Sequence, residues 1–211
     1  MRFLANLHKF VFKIEPMSRY IDIHTHSPSA DYPTPTSAGI HPWHAASGFI
    51  DEAAMHSADL IGEIGLDYAC KVDRQMQEHL FREQLSIAQR LRKPVVVHCV
   101  RAFEPTMKIL SEYQLRAVIC HGFIGCVQQA EQAIKRGYYL SFGEGAFRSP
   151  RTLEAMRTIP LSRLFAETDE SQISIEKIYE MIATERKIEV AELQTQIENN
   201  YNEIFLQYND R

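Results

Sequence analysis

A chain of 211 residues, 45% of them hydrophobic, is long enough to bury one sizeable core. Its formal net charge of −4 excludes the broad basic face of a protein that lives on nucleic acid, but not a small cationic site. Four cysteines, Cys70, Cys99, Cys120 and Cys126, form no CxxC pair, which excludes a disulfide scaffold and fits reduced thiols in a cytoplasmic protein.

The N-terminal MRFLANLHKFVFKIEP is apolar and basic, interrupted by Asn6, His8, Lys9 and Lys13. It is too short and too charged to span a membrane, and no small-residue cleavage site follows. Met17 offers an alternative start; residues 1–16 are then an N-terminal extension of unassigned role, and 17–211 a single domain. Seven short apolar runs follow, each reading as a buried parallel strand: YIDIHTH, SAGIHPW, LIGEIGLDY, PVVVHC, AVICHGF, YYLSFG and LFAETD. Helical periodicity separates most of them. In DRQMQEHLFREQLSIAQRL the residues Met76, Phe81 and Leu85 read as helix core. Gly137 suits the stop of CVQQAEQAIKRG, and Ser149-Pro150 the start of SPRTLEAMRTI. Two amphipathic helices, one with Ile175, Ile178, Tyr179 and Ile182 and one running from Val190 to Phe205, close the chain.

Strand alternating with helix predicts an α/β fold with a parallel sheet inside a layer of helices. A TIM-type (β/α) barrel is favoured, because polar residues recur at the C-terminal ends of the strands, where barrels place their sites. The barrel is incomplete: SPSADYPTPTS, residues 27–37, is too short for a crossover helix and strand. Residues 1–14 are a candidate to fill the gap.

Side chains alternate along a strand, so Asp22, His24 and His26 share a face. Alone, the HxH pair reads equally as a metal site or as two histidines satisfied by backbone. The other strand ends add His41, Glu63, Asp67, His98, His121, Glu167 and Asp169. Chance would scatter nine histidines over helices and loops, yet five stand on or beside these runs. Four histidines and two carboxylates around one mouth can hold two ions, with His24, His26 and Asp169 on one, His98 and His121 on the other, and Glu63 between. Asp22 is expected to orient a histidine by its other ring nitrogen. His41 reads as a substrate or phosphate contact or as purely structural. Asp67 and Glu167 either shape the site or pair with a buried arginine. Arg101 and Arg148 read as surface arginines, with phosphate contact the alternative. Cys99 and Cys120 point away from their histidine neighbours and read as core thiols; His8, His44, His56 and His79 read as solvent-facing.

The ordered set DIHTH, GIHPW, GEIGLDY, PVVVHC, HGFxG and ETD resembles the TatD family of metal-dependent hydrolases, among the amidohydrolase-like TIM barrels, from about Tyr20 to Phe205. That resemblance implies two divalent ions, magnesium, manganese or zinc, on His24, His26, Glu63, His98, His121 and Asp169. It also implies phosphoester hydrolysis, typically as an exonuclease on DNA ends, while some relatives cleave other ester or amide bonds. Three departures stand out. A βα unit is missing after HxH; the arginine of the usual H-C-R is displaced to Arg101; and ETDESQISIEK enters a helix at once, which leaves the mouth open and without basic clamps. The expected reaction is attack of a hydroxide held by the ions on phosphorus, with Asp169 as general base and Glu63 at the centre of the site. The expected substrate is DNA or a small phosphoester, with no membrane and no protein partner, on a monomer. A hydrolase of small esters, amides or phosphomonoesters, and a non-catalytic metal or partner binder, are the alternatives.

Overall fold

The computed structural model describes residues 19–206; the readings for residues 1–16, Met17 and His8 lie outside them. Six parallel strands form one sheet in chain order: β1 (Ser37–Ala38), β2 (Leu60–Asp67), β3 (Val95–Val100), β4 (Val118–Cys120), β5 (Tyr139–Phe142) and β6 (Leu164–Ala166). Neighbours are in register at Val95↔Val118, Ile119↔Tyr139 and Leu140↔Leu164. Val95, Val96, Val97, Ile119, Leu140, Phe142 and Leu164 are fully buried, which is why the strands read as continuous apolar runs rather than alternating ones.

The connections are helical: α1 (Glu52–Ser57), α2 (Arg74–Leu91), α3 (Phe103–Leu110), α4 (Val127–Lys135) and α5 (Pro150–Thr158), with α6 (Ile175–Arg186) and α7 (Val190–Phe205) at the end. Pro150 opens α5, and Gly137, at φ 80°, lets the chain turn out of α4, both as the sequence suggests. Helices α1 and α3 are too short for periodicity to reveal. Met76 departs from its expected place: it is 50% exposed, whereas Phe81 and Leu85 are fully buried. No helix among the described residues is long and apolar enough to cross a membrane.

Two of the seven expected strands are corrected. SAGIHPW contributes only the two residues of β1 before turning into a 3-10 helix at Pro42–His44. YIDIHTH does not join the ladder. It runs beside the end of β6 through a single isolated bridge, Thr25 to Asp169. Ile23 N donates to Ala166 O (3.2 Å), Asp169 N to His24 O (3.0 Å) and His26 N to Asp169 O (3.1 Å). On its other side only Asp22 N reaches the loop, at Pro33 O (3.2 Å). Pro33 and Pro35 stand where a neighbouring strand would be, and neither has an N–H to donate. The barrel is thus six ladder strands and one tethered segment.

That segment is held from below by Tyr179 of α6, which is fully buried. Ile21 N donates to the tyrosine oxygen (3.1 Å), and the hydroxyl donates back to Ile21 O (3.0 Å). Tyr179→Phe leaves both backbone groups unpaired in the core. We expect it to cost about 1–3 kcal/mol, seen as a lower Tm; an unchanged Tm refutes the role.

Candidate metal centre

Each candidate residue is placed by backbone that the sequence explains. In β2 the ladder skips a residue, so that Ile61 pairs with Val95 and Ile64 with Val97. Glu63 lies in this irregular stretch between two glycines with no room for a side chain. A Cβ on Gly62 would meet Val96 Cγ1 at 2.4 Å, and one on Gly65 would meet His98 O at 2.0 Å. The GEIG of the sequence is therefore a close approach of β2 to β3 that brings Glu63 against His98. His98 belongs to β3 and His121 follows β4 directly. Asp169 takes a left-handed backbone, φ 55°, and is pinned by its two backbone bonds to His24 and His26.

These elements bring His24, His26, His41, Glu63, His98, His121 and Asp169 to one mouth. Glu63 is its centre. One carboxylate oxygen, Oε1, lies 2.6 Å from His121 Nε2, 2.7 Å from His98 Nδ1 and 3.5 Å from His41 Nε2. The other, Oε2, lies 3.4 Å from His24 Nε2 and 3.6 Å from His26 Nε2. Asp169 Oδ1 completes the second side at 3.5 Å from His26 and 3.8 Å from His24. Donor atoms of His24, His26 and Asp169, and those of His24, Glu63 and His121, fall within 4.8 Å of one another.

The charge balance of this cluster suits a cation. Burial would raise the Glu63 pKa, but the ring nitrogens of His121, His24, His41 and His98 gathered around the carboxylate hold it far below the usual carboxylate range. Burial disfavours a charged His121, yet Glu167 and Glu63 together push it up to about 10. Positive charge is favoured there, and an ion supplies it as well as a proton does. His24 Nε2, His121 Nδ1 and Glu167 Oε2 are buried without a hydrogen-bond partner. Such atoms are costly unless something binds them. Imidazole and carboxylate donors fit manganese or zinc.

Of the surrounding residues, Asp22 departs from expectation, and Asp67 and Glu167 take the first of their two alternatives. Asp22 does not orient a histidine ring; it accepts from Thr168 N (3.0 Å) and Thr168 Oγ1 (2.6 Å), and so ties DIHTH to ETD. Burial drives its pKa up to about 6 against those bonds. Asp67 and Glu167 pair with histidines, not arginines. Asp67 Oδ2 lies 3.4 Å from the far nitrogen of His98, and Glu167 Oε1 lies 3.6 Å from that of His121. Glu167, wholly buried, is itself fixed by Gly122 N at 2.5 Å. Two carboxylates thus back two histidines, the arrangement that sets ring orientation at metal sites.

His41 Nδ1 accepts a hydrogen bond from Trp43 N (3.2 Å), which leaves Nε2 facing Glu63 Oε1 at 3.5 Å, and with Glu63 and His98 it forms a further group within metal-ligand range. Arg101, exposed with φ 52°, lines a cavity of about 660 Å³ beside His121, together with Phe103, Phe123 and Arg151. Arg148 is exposed and paired with Glu144. Cys120 is buried and Cys99 partly so, and burial raises both thiols. His44, His56 and His79 are exposed. Trp43, which reading the sequence had passed over, donates its indole N–H to Asp67 Oδ2 at 2.6 Å. The signal was an aromatic directly after the His-Pro pair.

Residues 29–206 match the family model described as TatD related DNase. The 3'-5' ssDNA/RNA exonuclease TatD of Cronobacter sakazakii is 35% identical over 148 residues, 64% of this chain and 56% of that protein. An uncharacterized metal-dependent hydrolase of Buchnera aphidicola is 32% identical over 157 residues, 65% of this chain and 59% of its own length. The chain therefore spans a little over half the length of these curated relatives. Among solved structures, a TatD homologue from Escherichia coli superposes with a TM-score of 0.73 at 23% identity, covering 84% of this chain and 78% of that one. A TatD family hydrolase from Entamoeba histolytica gives 0.71 at 19% identity, covering 83% and 76%. At these identities the likeness is one of fold.

Proposed function

This chain belongs to the TatD related DNase family, and from that membership we propose that it is a two-metal hydrolase that cleaves phosphoester bonds at DNA ends. The observation that carries the reading is Glu63, whose Oε1 faces His98 and His121 while its Oε2 faces His24 and His26. His24, His26 and Asp169 would hold one ion, His98 and His121 the other, and Glu63 would serve both. When bound, two divalent ions lower the pKa of water and offset the charge of a phosphate diester.

The chain's own residues do the rest. Asp169, at the more open side of the cluster, orients the attacking water and takes its proton. Without an ion, burial and the nearby Glu167 raise its pKa; a bound cation acts in the opposite direction, so its role as base rests on its position beside His24 and His26. Asp67 and Glu167 keep the rings of His98 and His121 turned toward Glu63. His41, with its Nε2 at the same mouth, contacts a non-bridging oxygen of the phosphate. The bond to the leaving oxygen then breaks on the far side from the water.

End-labelled single-stranded DNA incubated with the protein and manganese, magnesium or zinc tests this. Stepwise shortening is expected, lost in EDTA and restored by added metal. A protein with two ions bound that leaves the label intact refutes the nuclease reading. The shortened barrel and the direct entry of ETD into α6 favour a second reading, hydrolysis of small phosphoesters. An aryl phosphate run alongside, and preferred over DNA, would establish it.

A further inference from the structure

We propose that the exposed indole of Trp43 is a stacking platform for the unpaired nucleobase next to the phosphate in the metal centre. The inference rests on the nuclease reading and adds the feature that holds the strand. Trp43 is 55% exposed, although its polar end is tied down. The indole N–H donates to Asp67 Oδ2 at 2.6 Å, and Asp67 is only 4% exposed. The same carboxylate oxygen faces His98 Nε2 at 3.4 Å. One buried oxygen therefore clamps the indole and a ring of the metal cluster together, with centroids 6.5 Å apart.

The backbone is fixed as firmly. Pro42 is buried at the start of the 3-10 turn, and His41 Nδ1 accepts from Trp43 N. The His41 ring stands nearly perpendicular to the indole at 4.7 Å. Both χ angles are thus set before any ligand arrives, so stacking costs little side-chain entropy. An incidental surface tryptophan would lack such a tether. Phe49 and Met76, the comparably exposed residues on the outer face, have no polar handle to be held by.

The chemistry points to a base rather than to more phosphate. The chain carries a net charge of −4, and Arg148 is already paired with Glu144. Near the mouth that leaves Arg101 and Arg151, which line the cavity beside His121, to meet phosphate. Stacking on an aromatic face does not depend on charge and tolerates any base, which suits an enzyme that digests strands of any sequence. It also requires that the base be unpaired.

Trp43 is the only tryptophan in the chain, so its fluorescence reports on the contact directly. The experiment uses the metal-loaded protein and a single strand ending in phosphorothioate linkages, which resist cleavage. Quenching that saturates with the strand is expected, and little quenching with a strand whose terminal residues are abasic. By anisotropy of a labelled strand, Trp43→Ala should weaken binding about 5- to 100-fold and Trp43→Phe should recover most of it. The Trp43→Ala penalty should shrink on the abasic strand, and metal content per chain should stay at two, which separates stacking from damage through Asp67. Equal quenching by base-bearing and abasic strands, or a Trp43→Ala protein that binds like the parent, overturns the proposal. If labelled DNA is nonetheless shortened, the nuclease reading survives that result. If no strand binds while an aryl phosphate is hydrolysed, both fall.

Discussion

Replacing Glu63 with alanine is expected to abolish metal-dependent turnover, by on the order of 10³-fold or more, and to lower the metal content below two ions per chain. Its carboxylate lies in contact range of His24, His26, His41, His98 and His121. Each histidine can be lost with others remaining on the same ion. Glu63 offers one oxygen to each set, so its loss removes a donor and a negative charge from both. Glu63→Gln separates the two contributions, since it keeps the volume and an oxygen but not the charge. We expect it to retain the fold by circular dichroism and to bind metal more weakly than the parent. Metal analysis after dialysis, read beside end-labelled DNA digestion, measures both. Undiminished turnover in Glu63→Ala would exclude the bridging role.

The second large effect is expected at Gly65, which touches no candidate ligand with a side chain because it has none. Its φ of 145° belongs to a region that residues with a Cβ rarely occupy. The Cβ of an alanine would lie 2.0 Å from His98 O, 2.9 Å from His98 C and 3.0 Å from His98 N, all of them backbone. A flexible side chain could swing aside, but here β3 itself must move away from β2. Gly65 is the register partner of His98, so the displacement falls on the residue that meets Glu63 at 2.7 Å. We expect Gly65→Ala to cost about 3 kcal/mol or more, from strain at a forbidden φ plus overpacking. Weaker metal binding should accompany the lower Tm. An alanine variant with the parent's Tm and metal content would show that the two strands are free to separate there.

These two residues mark how far the sequence could be read. GEIGLDY advertised a strand that carries one carboxylate and ends on another, and Glu63 lies within β2 while Asp67 closes it. The glycines on either side gave no hint that they let one backbone approach another. In the same way His24, His26, His98, His121 and Asp169 could be gathered into one mouth from their places on successive apolar runs. That Asp67 faces His98, or Glu167 faces His121, could not be read, because neither spacing nor periodicity says what lies across a barrel.

The sequence by itself determined the α/β class, the parallel order of the strands and the order of the candidate ligands. The physical reason is burial: a strand covered on both faces must be written as a continuous apolar run, and polar residues survive only where the run ends at the mouth. Only the tertiary structure decided the rest. It left YIDIHTH outside the ladder, because two prolines cannot donate to a strand beside it. It turned Asp22 to Thr168, 146 positions away, rather than to a histidine. It also tied His41 Nδ1 to Trp43 N and the indole N–H to Asp67 while leaving Trp43 half exposed, through hydrogen bonds that chain order does not identify. Local pattern records which face is hidden from water; which polar group meets which is settled only when distant segments close on one another.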